Sequence, residues 1–233
     1  MGRILITGCG RAGTQYITRL LQNLRLRATH EQIYRHDLTP GSFTVEGMDA
    51  RWLEKETVIE ASWLAAPFAI RQPNDVIVWH QMRDPLKVVR CWASHVHLLN
   101  QKWLDQERQP SMMGRYIHQF LPECAQGSDL ERAVWYVLHW NLLAEQSAHG
   151  SYRSYRVEDL NPEMLGYMLF DAFGFMFTPE RLQQAFIEVM PGTGGCLPGS
   201  HIELTWEQIE QVEGGKELRE LARAYGYKPE MEG

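Results

Sequence analysis

Three glycines and an arginine within six residues carry the first chemical signal of this chain. Gly8, Gly10 and Gly13 are interleaved with Cys9, Arg11 and Ala12, and Thr14 and Gln15 follow directly. Glycine has no Cβ, so the backbone N–H groups of such a loop can close on a ligand, and a cation inside the loop selects an anionic one. Further on, His30 and Glu31 are adjacent side chains able to move a proton, with His36 a third candidate. Arg83 ends an apolar run, where a guanidinium suits a bidentate anion contact.

The elements around these residues say how they are held. Arg3–Thr7 is an apolar strand, and Tyr16, Ile17, Leu20, Leu21 and Leu24 recur at helical spacing, so the glycine loop joins a strand to a helix. The free N–H groups and positive end of that helix favour phosphate or sulfate. Leu26–Thr29 and Val58–Ser62 read as short strands, and Trp63–Arg71 as a helical piece. Asp75–Gln81 is a near-continuous apolar run, as a parallel strand covered on both faces requires. Pro85 then opens a helix whose stripe runs from Leu86 to Leu99. Ser128 and Glu131 form a capping box before a long helix, and Tyr152–Val157 alternates as a strand. Asn161-Pro162, Thr178-Pro179 and Thr205–Gln208 are helix starts, and a last helix spans Lys216–Tyr225. Tyr34–Glu56, Trp103–Gly127 and the glycine- and proline-rich Met190–His201 read as loops. Strands alternating with helices imply an α/β fold with a central parallel sheet and ligands at the C-terminal strand ends. The glycine loop, the Glu31 region, Ser62, Arg83 and Glu158 all fall at such ends.

At 233 residues with 44% hydrophobic content the expectation is one domain, 1–233. The net charge of −6 gives no global field for nucleic acid or an anionic membrane surface, so neither is an expected partner. Cys9, Cys91, Cys124 and Cys196 are widely spaced and form no C-x-x-C pair, which argues against a zinc site or a disulfide framework and for a reduced, cytoplasmic setting. No leader-like segment or bilayer-length apolar run is evident in the sequence.

Three readings of the loop compete. Gly8, Gly10 and Gly13 fit G-x-G-x-x-G, with Glu31 near the place of a ribose-binding acid, which is the pattern of an NAD(P)-dependent oxidoreductase. The Walker A pattern has its glycine spacing at Gly8 and Gly13 but Thr14 in place of the lysine and Gln15 in place of the magnesium-binding hydroxyl. The third reading takes its positive charge from Arg11 within the loop.

This third pattern resembles the 5′-phosphosulfate loop of sulfotransferases, which use 3′-phosphoadenosine 5′-phosphosulfate (PAPS) on a fold related to P-loop nucleoside triphosphatases. Val76–Val89, an apolar strand ending in Arg83-Asp84-Pro85, is similar to the family's second signature, in which the arginine contacts the 3′-phosphate. Tyr155–Leu160 resembles a late family strand ending in Glu-Asp-Leu, and Trp140-Asn141, Thr29–Glu31 and Ala61–Trp63 resemble further segments, with a weaker likeness over His201–Trp206. The resemblance implies a three-layer P-loop-like α/β fold with helical additions in the C-terminal half. It implies a donor bound by Gly8, Gly10, Arg11, Ala12, Gly13, Thr14, Gln15 and Arg83, with Arg11 stabilising charge on the transferred sulfonate. Two departures stand out. Cys91 occupies the place of a phosphate-binding serine eight residues after the arginine, with Ser94 a substitute one turn on, and the late loop carries only His201 where basic residues are usual.

The resemblance also implies a general base, Glu31 first and His30 second, acting without a metal on a hydroxyl or amine of a small-molecule or glycan acceptor. A non-catalytic nucleotide-binding protein with the same fold is a further alternative. His80, His95 and the tryptophans Trp63, Trp92, Trp135 and Trp140 read as packing residues, and Glu158 and Asp159 as structural. The sequence names no acceptor.

Overall fold

The computed structural model describes residues 2–34, 51–52, 58–94, 112–146, 152–189 and 203–229. It is α/β: strands β1 (Arg3–Thr7), β2 (Ala28–His30), β3 (Ile59–Ala61), β4 (Val76–Met82) and β5 (Tyr152–Arg156) form one sheet in the order β2-β3-β1-β4-β5. Every pairing is parallel, with Ile6 beside Ala61 on one side and Trp79 on the other. Ile4, Leu5 and Ile6 are fully buried, which explains why β1 reads as a continuous apolar run rather than an alternating one. Backbone contacts divide the chain into two compact units, the first of residues 1–35, 41–82 and 143–195, the second of 36–40, 83–142 and 196–233.

The first unit holds the sheet together with helices α1 (Thr14–Asn23), α5 (Pro162–Phe173) and α6 (Pro179–Glu188), and a 3₁₀ helix over Trp63–Arg71. Ile4, Ile6, Ile59, Ala61, Trp79 and Tyr155 from the strands pack with Ile17, Leu20, Leu21, Leu165, Leu169 and Leu182 in one core. The caps legible in the sequence are made: Asn161 Oδ1 accepts from Met164 N at 2.9 Å and Thr178 Oγ1 from Arg181 N at 3.3 Å. The second strand starts two residues later than its sequence suggests. Arg25 takes a left-handed φ of 65° and Leu26 N–H donates to Leu21 O at 3.1 Å, a Schellman-type stop that leaves Leu26 outside the strand.

The second unit is helical: α2 (Pro85–Ser94), α3 (Met112–Phe120), α4 (Asp129–Glu145, which ends in the first unit), α7 (Trp206–Ile209) and α8 (Gly215–Ala224), with a 3₁₀ turn at Pro122–Ala125. Its core is aromatic, with Trp92 edge-on to Tyr136 at 4.6 Å and Tyr136 beside Trp140 at 5.2 Å. Ser128 and Glu131 form the expected capping box, Ser128 N donating to Glu131 Oε2 at 2.6 Å and Glu131 N to Ser128 Oγ at 3.3 Å. Helix α3 corrects the reading of Trp103–Gly127 as loop throughout; buried Tyr116 and Ile117 hold it to this core. Among the described residues no helix is long and apolar enough to cross a membrane.

The loop expectations for Tyr34–Glu56 and Met190–His201 fall mostly outside the described residues, as do His36, His95 and His201.

Candidate functional site

The glycine loop lies between β1 and α1, both in the first unit. Ala12 N donates to Cys9 O at 3.1 Å to close a turn, and Arg11 and Gly13 take left-handed φ angles of 73° and 100°. A Cβ on Gly13 would lie 3.0 Å from Gln81 Nε2, and one on Gly8 would lie 2.2 Å from the Gln81 carbonyl oxygen. Both glycines therefore let β4 approach the loop closely. Gln81, fully buried near the end of β4, uses this proximity: its Nε2 donates to Ala12 O at 2.5 Å while its Oε1 accepts from Tyr155 OH at 2.6 Å.

Helix α1 begins at Gly13 with no side-chain cap and no acidic residue in its first turn. The first N–H groups of an α-helix have no partner within the helix, so this start presents donors and positive dipole without a local anion to neutralise them. Arg11 is half-buried, Thr14 buried and Gln15 exposed. Gly8, Gly10 and Ala12 are buried. Ser62 Oγ, immediately after β3, is buried and without a hydrogen-bond partner among the described residues.

Two of the proton-transfer candidates meet this loop. Thr14 Oγ1 lies 3.0 Å from His30 Nε2, sharing one hydrogen whose donor is set by the imidazole tautomer, and His30 Nε2 lies 3.6 Å from Glu31 Oε1. Burial pushes the His30 pKa below its ordinary value. The imidazole is then neutral near pH 7, so its approach to Glu31 is no ion pair. Burial pushes the Glu31 carboxyl up, with a hydrogen bond from Trp63 opposing the shift. A neutral imidazole and a desolvated carboxylate beside uncapped helix N–H groups can accept a proton next to a bound anion.

Residues that the sequence reading passed over hold this cluster in place. Glu60 on β3 is fully buried, yet its carboxylate accepts from Thr29 Oγ1, from Gln32 N at 2.8 Å and from Ile33 N at 3.0 Å. Its signal was present: an acid flanked by Ile59 and Ala61 in a strand covered on both faces must find donors. Trp63 and Gln81 gave less warning, because their partners are distant in the chain.

The remaining predicted donor contacts belong to the second unit. Arg83 is half-buried and follows β4 directly in the chain. Asp84 beside it is buried, its Oδ1 accepting from Leu86 N at 2.9 Å to start α2 and its Oδ2 lying 3.4 Å from Lys87 Nζ. Cys91 is disulfide-bonded, its partner lying outside the described residues. That corrects the expectation of reduced cysteines throughout, since the Cys91 sulfur has no S–H to donate. Ser94 is the last residue of α2.

The residues read as structural behave so. His80 Nδ1 is 2.8 Å from Tyr152 OH, Asp159 pairs with Arg156, and Trp63, Trp92 and Trp140 are buried. Trp135 is half-buried and stacks on His139 at 4.3 Å. Among the described residues no three His, Cys, Asp or Glu side chains group as a metal site would require. In comparisons with known proteins, no family model matches the chain and no curated protein matches it.

Proposed function

We propose that this protein is a sulfotransferase-like, P-loop-type α/β enzyme that moves a sulfonate group from PAPS to a hydroxyl or amine of a small-molecule or glycan acceptor. The observation that carries the reading is the sheet order together with the cluster at its edge. In dinucleotide-binding sheets of order 3-2-1-4-5-6 the second strand lies beside the first. Here β3 separates β2 from β1. That arrangement weighs against the oxidoreductase alternative, in which Glu31 would serve as the ribose-binding acid.

In this reading the phosphosulfate occupies the uncapped start of α1, with Arg11 and the N–H groups of Gly13, Thr14 and Gln15 taking its charge. Arg83, by the family resemblance, takes the 3′-phosphate. His30 in its Nε2–H tautomer donates to Thr14 Oγ1, which leaves the Thr14 hydroxyl proton for the anion. Glu31 is then the general base. The acceptor oxygen or nitrogen forms a bond to sulfur as the bond from sulfur to the bridging phosphate oxygen breaks. The electron pair leaves on 3′-phosphoadenosine 5′-phosphate (PAP), and the acceptor proton goes to Glu31. Binding is tested by calorimetry with PAP against NADH: PAP binding supports the reading, whereas NADH binding without PAP binding overturns it. Release of PAP from PAPS on addition of acceptors from a glycan and small-molecule panel tests transfer. Binding with no release across the panel would favour the non-catalytic nucleotide-binding alternative.

A further inference from the structure

The backbone turns sharply where the proposed base sits. Pairing between β2 and β3 ends at His30 beside Ala61, and Glu31 then takes a left-handed φ of 53°. A non-glycine residue in that conformation costs about 1–2 kcal/mol, so the turn must be held by contacts outside it. The amides that follow, on Gln32 and Ile33, have left the sheet and would be buried without acceptors.

Glu60 supplies those acceptors. Its Oε1 takes both amides, at 2.8 and 3.0 Å, its Oε2 takes the Thr29 hydroxyl, and the Tyr34 backbone N–H adds a further bond. The donors come from both sides of His30 and Glu31, so one rigid carboxylate brackets the pair. Two more contacts fix the far end of the segment: Arg51 Nη1 donates to Ile33 O at 3.3 Å, and Tyr34 OH to Gln72 Oε1 at 2.7 Å. A buried carboxylate is costly to retain unless its acceptors are used fully, and here each oxygen is used.

We propose that Glu60 is a positioning residue that sets the His30–Glu31 turn and thereby holds His30 against Thr14 of the anion loop. Its catalytic significance rests on the reading of Glu31 as base given above, whereas the clamp itself is a property of the folded chain. The role depends on reach rather than charge. Glu60→Gln keeps an acceptor oxygen at the two amides and turns its NH2 to Thr29 Oγ1, whereas Glu60→Asp keeps the charge but withdraws it by one methylene.

Nuclear magnetic resonance of the full chain separates these cases. The expected result is that Glu60→Gln retains slow exchange of the Gln32 and Ile33 amides and the wild-type tautomer and depressed titration of His30. Glu60→Asp should lose amide protection and let the His30 midpoint rise toward the ~6.5 of an exposed imidazole. Thr29→Val, which removes a single donor and keeps the fold in hand, should shift His30 in the same direction by less. If His30 and the two amides are unchanged in Glu60→Asp and Thr29→Val, or if Glu60→Gln disturbs them as much as Asp does, the proposal is overturned. Calorimetry with PAP on the wild type runs alongside. Its failure would remove the donor assignment, while the resonance comparison still decides the clamp.

Discussion

Gln81 holds the carbonyl of Ala12, its Nε2 donating at 2.5 Å across 69 positions of sequence. With that carbonyl tied back to β4, the loop of which it is part is fixed before any ligand arrives. Pre-organised donors of this kind need little rearrangement on binding, which is how a site gains affinity and rate together.

Replacing Gln81 by Leu strips partners from Ala12 O and Tyr155 OH, both buried. The expected loss is about 2–4 kcal/mol of unfolding free energy. Urea denaturation should show a lower midpoint at unchanged slope.

Arg11 separates stability from binding. Its φ of 73° is easier for glycine, so Arg11→Gly should leave the melting temperature unchanged or raise it. The same variant loses a charge-assisted contact worth about 1.5–3 kcal/mol, a weakening of PAP binding by about 10- to 100-fold. Calorimetry and thermal melting on one preparation check both. Equal PAP affinity in Arg11→Gly and wild type would remove Arg11 from the donor site.

Gly8 faces the Gln81 carbonyl so closely that a Cβ there would lie 2.2 Å from its oxygen. Gly8→Ala should therefore destabilise the fold by about 1–3 kcal/mol or more through overpacking against backbone. Differential scanning calorimetry reads this directly.

Glu31→Gln preserves shape and removes basicity. PAP affinity should stay within a few-fold of wild type, while transfer to any acceptor found should fall by about 10²- to 10⁴-fold. Full turnover in this variant would move the base elsewhere.

Glu60 gives the protein a pH signature. Burial raises its carboxyl to about 7, with the bonds from Thr29, Ile33, Gln32 and Tyr34 opposing the shift. Between an unfolded value near 4.5 and about 7 the native state binds more protons than the unfolded state at this group. Its contribution to stability is thus fully present below pH 4.5 and is lost as pH rises to about 7. Glu31 is shifted the same way, and the lowered His30, His118 and His139 act in the opposite sense, so the wild type alone is a poor readout. The difference in stability between wild type and Glu60→Gln isolates the group. It should shift against the wild type by roughly 3 kcal/mol across that window, measured by denaturant midpoints at half-unit steps.

What the sequence determines by itself is local. The apolar run of β1, the glycines after it and the stripe of α1 give strand, loop and helix, because each rests on neighbours a few residues apart. The caps at Ser128, Asn161, Thr178 and Thr205 were legible for the same reason. Helix α3 was legible too, through Met112, Met113, Tyr116, Ile117 and Phe120 at helical spacing, but the stripe lies among residues read as loop. Only the tertiary structure decided that β3 inserts between β1 and β2, that His30 touches Thr14, and that Gln81 and Glu60 brace the two halves of the cluster. Those contacts join residues from 16 to 69 positions apart. Their geometry is fixed by how strands pair and how buried polar atoms find partners, which no window of sequence contains.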